Sequence, residues 1–120
     1  MITTETLLSN VVHGTPSDRY DGSSQDWFST AVKAADYYRG RGGVQTMGFS
    51  VTGFQGTITI EATLDMDPDS AAWFPTLVYG DASTVTTQSL SEAVIGNFTW
   101  LRARVEHFEA GTINTVTATY

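Results

Sequence analysis

Acidic residues at alternating positions are the first feature of this sequence that could do chemistry. Asp65, Asp67 and Asp69 place oxygen ligands at every second position, as at the start of a calcium-binding loop. The match to a helix-loop-helix calcium site then fails, because Ser70 stands where glycine is needed and Thr76 where a bidentate glutamate is needed. The run remains a candidate for an isolated calcium site. Its alternative is a solvated turn whose aspartates cap their own backbone.

Residues suited to catalysis are few and scattered. The two histidines, His13 and His107, are far apart in sequence, and neither a cysteine nor a GxSxG nucleophile motif is present. Carboxylate pairs for glycoside cleavage could be drawn from Asp36, Glu61, Asp65 and Glu106. Any acidic β-protein supplies such pairs by chance, however. We therefore expect a protein that is not an enzyme and needs no cofactor.

Aromatic side chains offer a different kind of site, a platform on which sugar rings could stack. The candidates are Trp27, Trp73, Trp100, Tyr37 and Tyr38. In small β-proteins, tryptophans more often close the core or fill an interface. A carbohydrate-binding module is therefore an alternative function, and it requires Trp73 or Trp100 to be exposed beside polar groups.

Length and charge limit the classes of partner. The 120 residues fit one domain, and 6 basic against 13 acidic residues give a formal net charge of -7. Binding to a nucleic-acid backbone needs clustered basic residues, so we expect no nucleic-acid partner. We expect no membrane partner either, because no apolar run approaches the ~20 residues of a membrane-spanning helix.

Alternating polar and apolar residues predict the elements that must position any site. Strands are predicted over 44–52, 57–65, 72–80 and 82–90, with two more in 96–120 joined by a tight Glu109-Ala110-Gly111 turn. Residues 28–38 fit either a helix or a strand, and we choose the strand because Thr30, Val32 and Tyr37 favour it. The pattern predicts turns at residues 39–43 and 53–56. Short strands separated by Gly or Pro turns predict an antiparallel, jelly-roll-like β-sandwich of about seven or eight strands.

The penultimate predicted strand has two unlike faces. One carries small residues and is the predicted core face: Thr99, Leu101, Ala103, Val105 and His107. The other is the predicted subunit interface: Phe98, Trp100, Arg102, Arg104, Glu106 and Phe108. Aromatic residues and arginines are enriched in protein interfaces, and these arginines could pair with Glu61 or Glu106 of a neighbouring subunit.

The N-terminal residues lack the alternation of the rest. Residues 13–26 are rich in Gly, Pro, Ser and Asp, which predicts loop or extended chain. We therefore divide the chain into an arm, residues 1–26, and a β-sandwich domain, residues 27–120. The apolar residues of the arm could form a short strand or a hydrophobic anchor: Leu7, Leu8, Val11 and Val12.

Three motifs carry a family resemblance. They are TGFQGTITIEATL at 52–64, Trp73-Phe74-Pro75 after the acidic loop, and FTWLR at 98–102. In this order they resemble small β-sandwich structural proteins of tailed bacteriophage particles. The resemblance covers about the last 77 residues and includes no catalytic residue.

This resemblance implies a non-enzymatic protein of the virion, made in the host cytoplasm. We expect a capsid decoration or cement protein, a homotrimer whose partner is the major capsid protein or another virion protein. A tail, collar, baseplate or fibre adapter is the alternative within the same particle. In the capsid role, the arm would hold adjacent capsomers together.

Overall fold

The computed structural model describes residues 3–17, 19–37 and 43–120, and their regular structure consists of antiparallel β-strands. The strands are β1 (Thr4–Val12), β2 (Trp27–Phe28), β3 (Val32–Lys33), β4 (Val44–Thr63), β5 (Phe74–Ile95) and β6 (Trp100–Thr119). The predicted all-β, antiparallel class is confirmed. None of the described residues forms a helix that could cross a membrane.

The strands form one sheet in the order β1-β6-β4-β5. β4 and β5 form a hairpin, whereas β6 pairs with the other side of β4. β1 lies along the C-terminal half of β6, and the two-residue strands β2 and β3 lie along its N-terminal half. The long strand predicted over 28–38 is therefore replaced by these two short ones. Most of the turn predicted at 39–43 lies outside the described residues.

Two segments predicted as turns lie inside long strands. Residues 53–56 belong to β4, and Glu109-Ala110-Gly111 belongs to β6. The β4–β6 register shifts between Thr52 and Thr57, which marks β-bulges in the paired strands. A bulge bends a strand without reversing it. The described residues consequently form six strands instead of the predicted seven or eight, and the predicted reversal at residues 109–111 is wrong.

The bulges of β4 and β6 pack against each other. Gly111 has a φ of 92° and Gly53 a φ of 59°, a backbone conformation that glycine adopts at little cost. A Cβ on Gly111 would collide with the carbonyl oxygen of Gly53, whereas a Cβ on Gly53 would meet nothing within 4 Å. The two strands therefore bend at the same level of the sheet.

One continuous hydrophobic cluster fills the inner face of the bent sheet. In β4 its members have odd numbers before the bulge, as in Phe49 and Val51, and even numbers after it, as in Ile58 and Ile60. The bulge thus keeps both halves of the strand facing the same core. Strict alternation through the segment would have turned one half outwards.

The N-terminal residues are part of this core. Leu7, Leu8 and Val11 of β1 are 4%, 3% and 1% exposed, and only Val12 of the predicted anchor remains open, at 42%. Residues 4–12 therefore belong to the sheet and do not form an arm that projects from it. Tyr20 is also buried, so the loop that follows β1 returns to the same core.

Candidate functional site

The outer face of β6 carries most of the residues predicted to contact another subunit. Leu101, Ala103 and Val105 are fully buried, as alternation predicts. On the opposite face, Trp100 is half-buried and Arg104 is exposed. The predicted division of faces therefore holds over the first half of β6.

The prediction fails at His107 and Phe108. His107 has a φ of 54°, and this bulge reverses the alternation, so that His107 is exposed and Phe108 is fully buried. The Phe108 ring packs against Tyr20 and Phe54, with centroids 5.2 and 5.7 Å away. Phe108 is consequently a core residue and not part of the predicted interface.

The remaining predicted interface residues are divided between core and solvent. Phe98 is half-buried and packs against the core cluster, while Glu106 is half-buried beside Arg104. The two long arginines, Arg102 and Arg104, are the members of the predicted face that lie next to buried charge.

Arg102 is held by an acidic partner and by two aromatic rings. Its Nε donates a hydrogen bond of 2.7 Å to Oε1 of Glu61, whose side chain is only 8% exposed. Its guanidinium carbon lies 4.4 Å from the centroid of the Phe28 ring and 4.4 Å from that of Trp73. These contacts fix both the charge and the orientation of the guanidinium group.

Arg104 completes the ion-pair network. Its guanidinium group lies 3.9 Å from Glu61 and 3.7 Å from Glu106. The sequence suggested Glu61 or Glu106 of a neighbouring subunit as partners. In the structure both arginines reach carboxylates of their own chain.

The loop between β4 and β5 covers another part of the face. The indole Nε1 of Trp100 donates a 3.0 Å hydrogen bond to the carbonyl of Met66, and the Thr99 hydroxyl donates to the carbonyl of Asp65. Trp73, at the end of this loop, lies over Arg102. A surface predicted to contact a partner is therefore covered in part by the chain itself.

Two aspartates of this loop accept hydrogen bonds from the loop's own backbone. Asp65 accepts a hydrogen bond from the Ala72 amide at 2.8 Å, and Asp67 accepts one from the Asp69 amide at 3.0 Å. Within the described ranges, no three His, Cys, Asp or Glu side chains gather as metal ligands. The arrangement is the self-capped turn considered as the alternative to a calcium site.

A groove of about 410 Å³ opens beside Arg102. We call it the aromatic groove. Its main side chains are Phe28, Trp73, Trp100, Arg19, Arg102 and Asp69. Trp73 and Trp100 are both half-buried, whereas the carbohydrate alternative asked for an exposed tryptophan beside polar groups. Two other predicted platform residues lie elsewhere: Trp27 is in the core, and Tyr38 is outside the described residues.

Sequence reasoning missed Phe28, Arg19 and Asp69 as groove residues. Phe28 pairs with Arg104 across the β2–β6 ladder, and this pairing brings its ring beside Arg102. Arg19 comes from the preceding loop, with its guanidinium carbon 5.8 Å from the Phe28 centroid. No local pattern joins these residues, because strand pairing and loop path bring them together.

A tight turn follows Arg19 in the loop. Hydrogen bonds from the backbone amides of Ser24 and Ser23 lower the pKa of Asp21 from 3.8 to about 2. The lowered pKa keeps Asp21 ionised further into the acidic range, so that its carboxylate can keep accepting both bonds there. This turn helps to order the segment between Arg19 and β2.

The outer edge of β5 is the second notable surface. Among the described strands, β5 pairs only with β4, so its other side is open over 22 residues. Val78, Val85 and Ile95 on this strand are 62%, 59% and 77% exposed. The strand contains two acidic residues, Asp81 and Glu92, and neither lysine nor arginine. Large apolar groups and free backbone groups therefore lie along one edge.

The chain matches no protein-family model, no curated protein and no solved structure. Its function must therefore be inferred from the aromatic groove and the open edge.

Proposed function

We propose that this protein is a non-enzymatic structural subunit of a tailed-phage particle, joined to neighbouring subunits through β5. The open edge of β5 is the observation that supports the proposal. An open edge presents unpaired backbone N–H and C=O groups, which natural proteins usually protect with lysine, proline or a bulge. β5 has one proline near its start, Pro75, and a bulge near Asp81, which leave two stretches of the strand available for pairing.

Within the particle, we propose a capsid decoration or cement role, as a trimer that bridges capsid subunits. Contacts through the edge would add free energy to the assembled shell and slow its opening. This replaces bridging by an N-terminal arm, because residues 4–12 are already paired within the sheet. A tail, collar, baseplate or fibre adapter would use the same edge.

We also propose that the bent sheet works as the two layers of a jelly-roll-like β-sandwich. Its support is the shared core cluster, in which Phe49 from one side of the β4 bulge joins Ile58 from the other. Burying a common core from two sides is how sandwich layers are stabilised.

The edge proposal is tested by the change Val78→Lys. Val78 is 62% exposed on β5, and Leu64, 60% exposed in a loop, supplies the matched control Leu64→Lys. We expect the unchanged protein to form an oligomer in sedimentation equilibrium. A charge at Val78 should weaken association about tenfold, because about 1.5 kcal/mol of apolar burial is lost.

Leu64→Lys should associate like the unchanged protein, and circular dichroism should show both variants folded. A monomeric unchanged protein, or equal association of both variants, would contradict the edge proposal. Quantitative mass spectrometry of intact particles tests the position: hundreds of copies indicate the head, and about a dozen indicate the tail or neck.

A further inference from the structure

We propose that the aromatic groove binds a neutral oligosaccharide. This site is separate from the β5 edge and does not depend on the assembly role. The groove combines the rings of Phe28, Trp73 and Trp100 with charged groups from Arg19 and Asp69. A ligand that fits must have apolar faces and hydrogen-bonding edges, and a pyranose ring has both.

The aromatic rings are held in place before any ligand arrives. The Trp100 indole is fixed by its hydrogen bond to the Met66 carbonyl and by an edge contact with Tyr37, 5.1 Å between centroids. The Trp73 ring is fixed against the Arg102 guanidinium. A ligand would therefore lose little free energy in ordering these side chains.

The charges of the groove favour a neutral ligand. Arg102 is neutralised by Glu61, at 2.7 Å. Among the described residues, Arg19 has no ion-pair partner and the Asp69 side chain accepts no hydrogen bond. The Arg19 guanidinium can therefore donate to a ligand and the Asp69 carboxylate can accept from it. Their opposite charges sum to zero. Sugar hydroxyls, which both donate and accept, match this pair.

Two further features suit a saccharide. The exposed Thr30 lines the groove and adds a hydroxyl to its polar groups. The volume of about 410 Å³ falls within the range of roughly 300–1,000 Å³ that is common for small-ligand sites. That space suits a short stretch of a sugar chain.

The test titrates the full chain with trisaccharides of glucose, galactose, mannose, xylose and N-acetylglucosamine, followed by tryptophan fluorescence and calorimetry. We expect at least one trisaccharide to bind with a Kd below about 1 mM. Trp73→Ala should weaken this binding at least about tenfold, because a stacking ring is lost. Arg19→Ala should weaken it by about the same factor through the loss of a charged hydrogen bond.

Phe74→Ala is the matched control, because Phe74 is the neighbouring aromatic residue, is 43% exposed and does not line the groove. It should bind like the unchanged protein. Arg19→Ala keeps the test decisive should Trp73→Ala disturb the fold. Binding of none of the trisaccharides, or only of an acidic trisaccharide such as trigalacturonate, would overturn the inference. Equal binding by Arg19→Ala and the unchanged protein would also overturn it. Sedimentation of the unchanged protein is a separate readout, so failure here leaves the edge proposal standing.

Discussion

Arg102 shows how a charge can be placed on a β-sheet and still be largely covered. Its side chain is 20% exposed, yet its charge meets Glu61 and its flat faces meet two aromatic rings. An arginine suits this position because its guanidinium group is planar and can stack while it donates hydrogen bonds. A lysine would lose the stacking and the fixed direction of the bond.

Glu61→Gln should therefore destabilise the protein by about 3 kcal/mol, because it leaves the charge of Arg102 without its main partner in a partly buried place. The measurement is the free energy of unfolding in urea. Glu92→Gln, an exposed acid on β5, should change this free energy by less than about 0.5 kcal/mol. Similar small effects of both changes would show that the Glu61–Arg102 pair adds little to stability.

Sequence patterns predict such residues only where alternation is unbroken. Residues 101–105 follow strict alternation, and the predicted burial of Leu101, Ala103 and Val105 is confirmed. Phe108 lies beyond a bulge, and its inward position follows from the left-handed backbone at His107. Histidine adopts this conformation more often than most non-glycine residues, but still in a small minority of cases. Non-glycine residues adopt this conformation rarely, so sequence alone gives little reason to expect it there.

At the scale of elements, bulges explain why the number of strands differs from the prediction. Glycines with positive φ can form either a hairpin turn or a bulge, and the two have similar local sequences. The choice depends on pairing with the neighbouring strand, here the packing of Gly111 against Gly53. Local sequence could therefore mark where the chain bends but not whether it reverses.

Gly111→Ala and Gly53→Ala form a matched pair for this bend. Both place alanine at positive φ, at a cost of about 1–2 kcal/mol. Gly111→Ala should lose about 1–3 kcal/mol more, because its Cβ would press on the Gly53 carbonyl. Urea unfolding of both variants measures the difference. Equal losses would mean that the bend opens easily to accept a side chain.

At the scale of the whole molecule, β1 joins the start of the chain to its end and covers part of the core. Composition suggested a loose N-terminus, since residues 13–26 are rich in turn formers. The apolar residues before them, however, are buried against β6. Local sequence patterns say little about pairing between residues so far apart in the chain. The apolar residues before residue 13 therefore fitted a short strand and a hydrophobic anchor equally well.

Deleting residues 1–12 should prevent stable folding. Truncation of a buried leucine such as Leu7 or Leu8 alone lowers the free energy of unfolding by about 2–5 kcal/mol. Thermal unfolding followed by circular dichroism should show no cooperative transition. As controls, Leu8→Ala should lower the melting temperature clearly, while Val12→Ala, at a 42% exposed position, should have a small effect. A cooperative transition near that of the full chain would restore the arm interpretation.

The charge distribution is also a property of the whole molecule. The net charge is -7, yet all four basic residues in the described part of the chain lie on or beside the outer face of β6: Arg19, Lys33, Arg102 and Arg104. Elsewhere on the part of the surface that the structure describes, the charged Asp and Glu side chains have no lysine or arginine among them. Such a surface keeps copies apart in solution until short-range contacts form.

The pairing of Thr3 with Tyr120 has a mechanical consequence. Each of these residues donates its backbone N–H to the carbonyl of the other, at 2.6 and 2.9 Å. The two residues therefore form the last pair at this end of the β1–β6 ladder. Hydrogen bonds between antiparallel strands run across the strand direction. Tension applied between these two residues would load one rung at a time and peel the ladder open at low force.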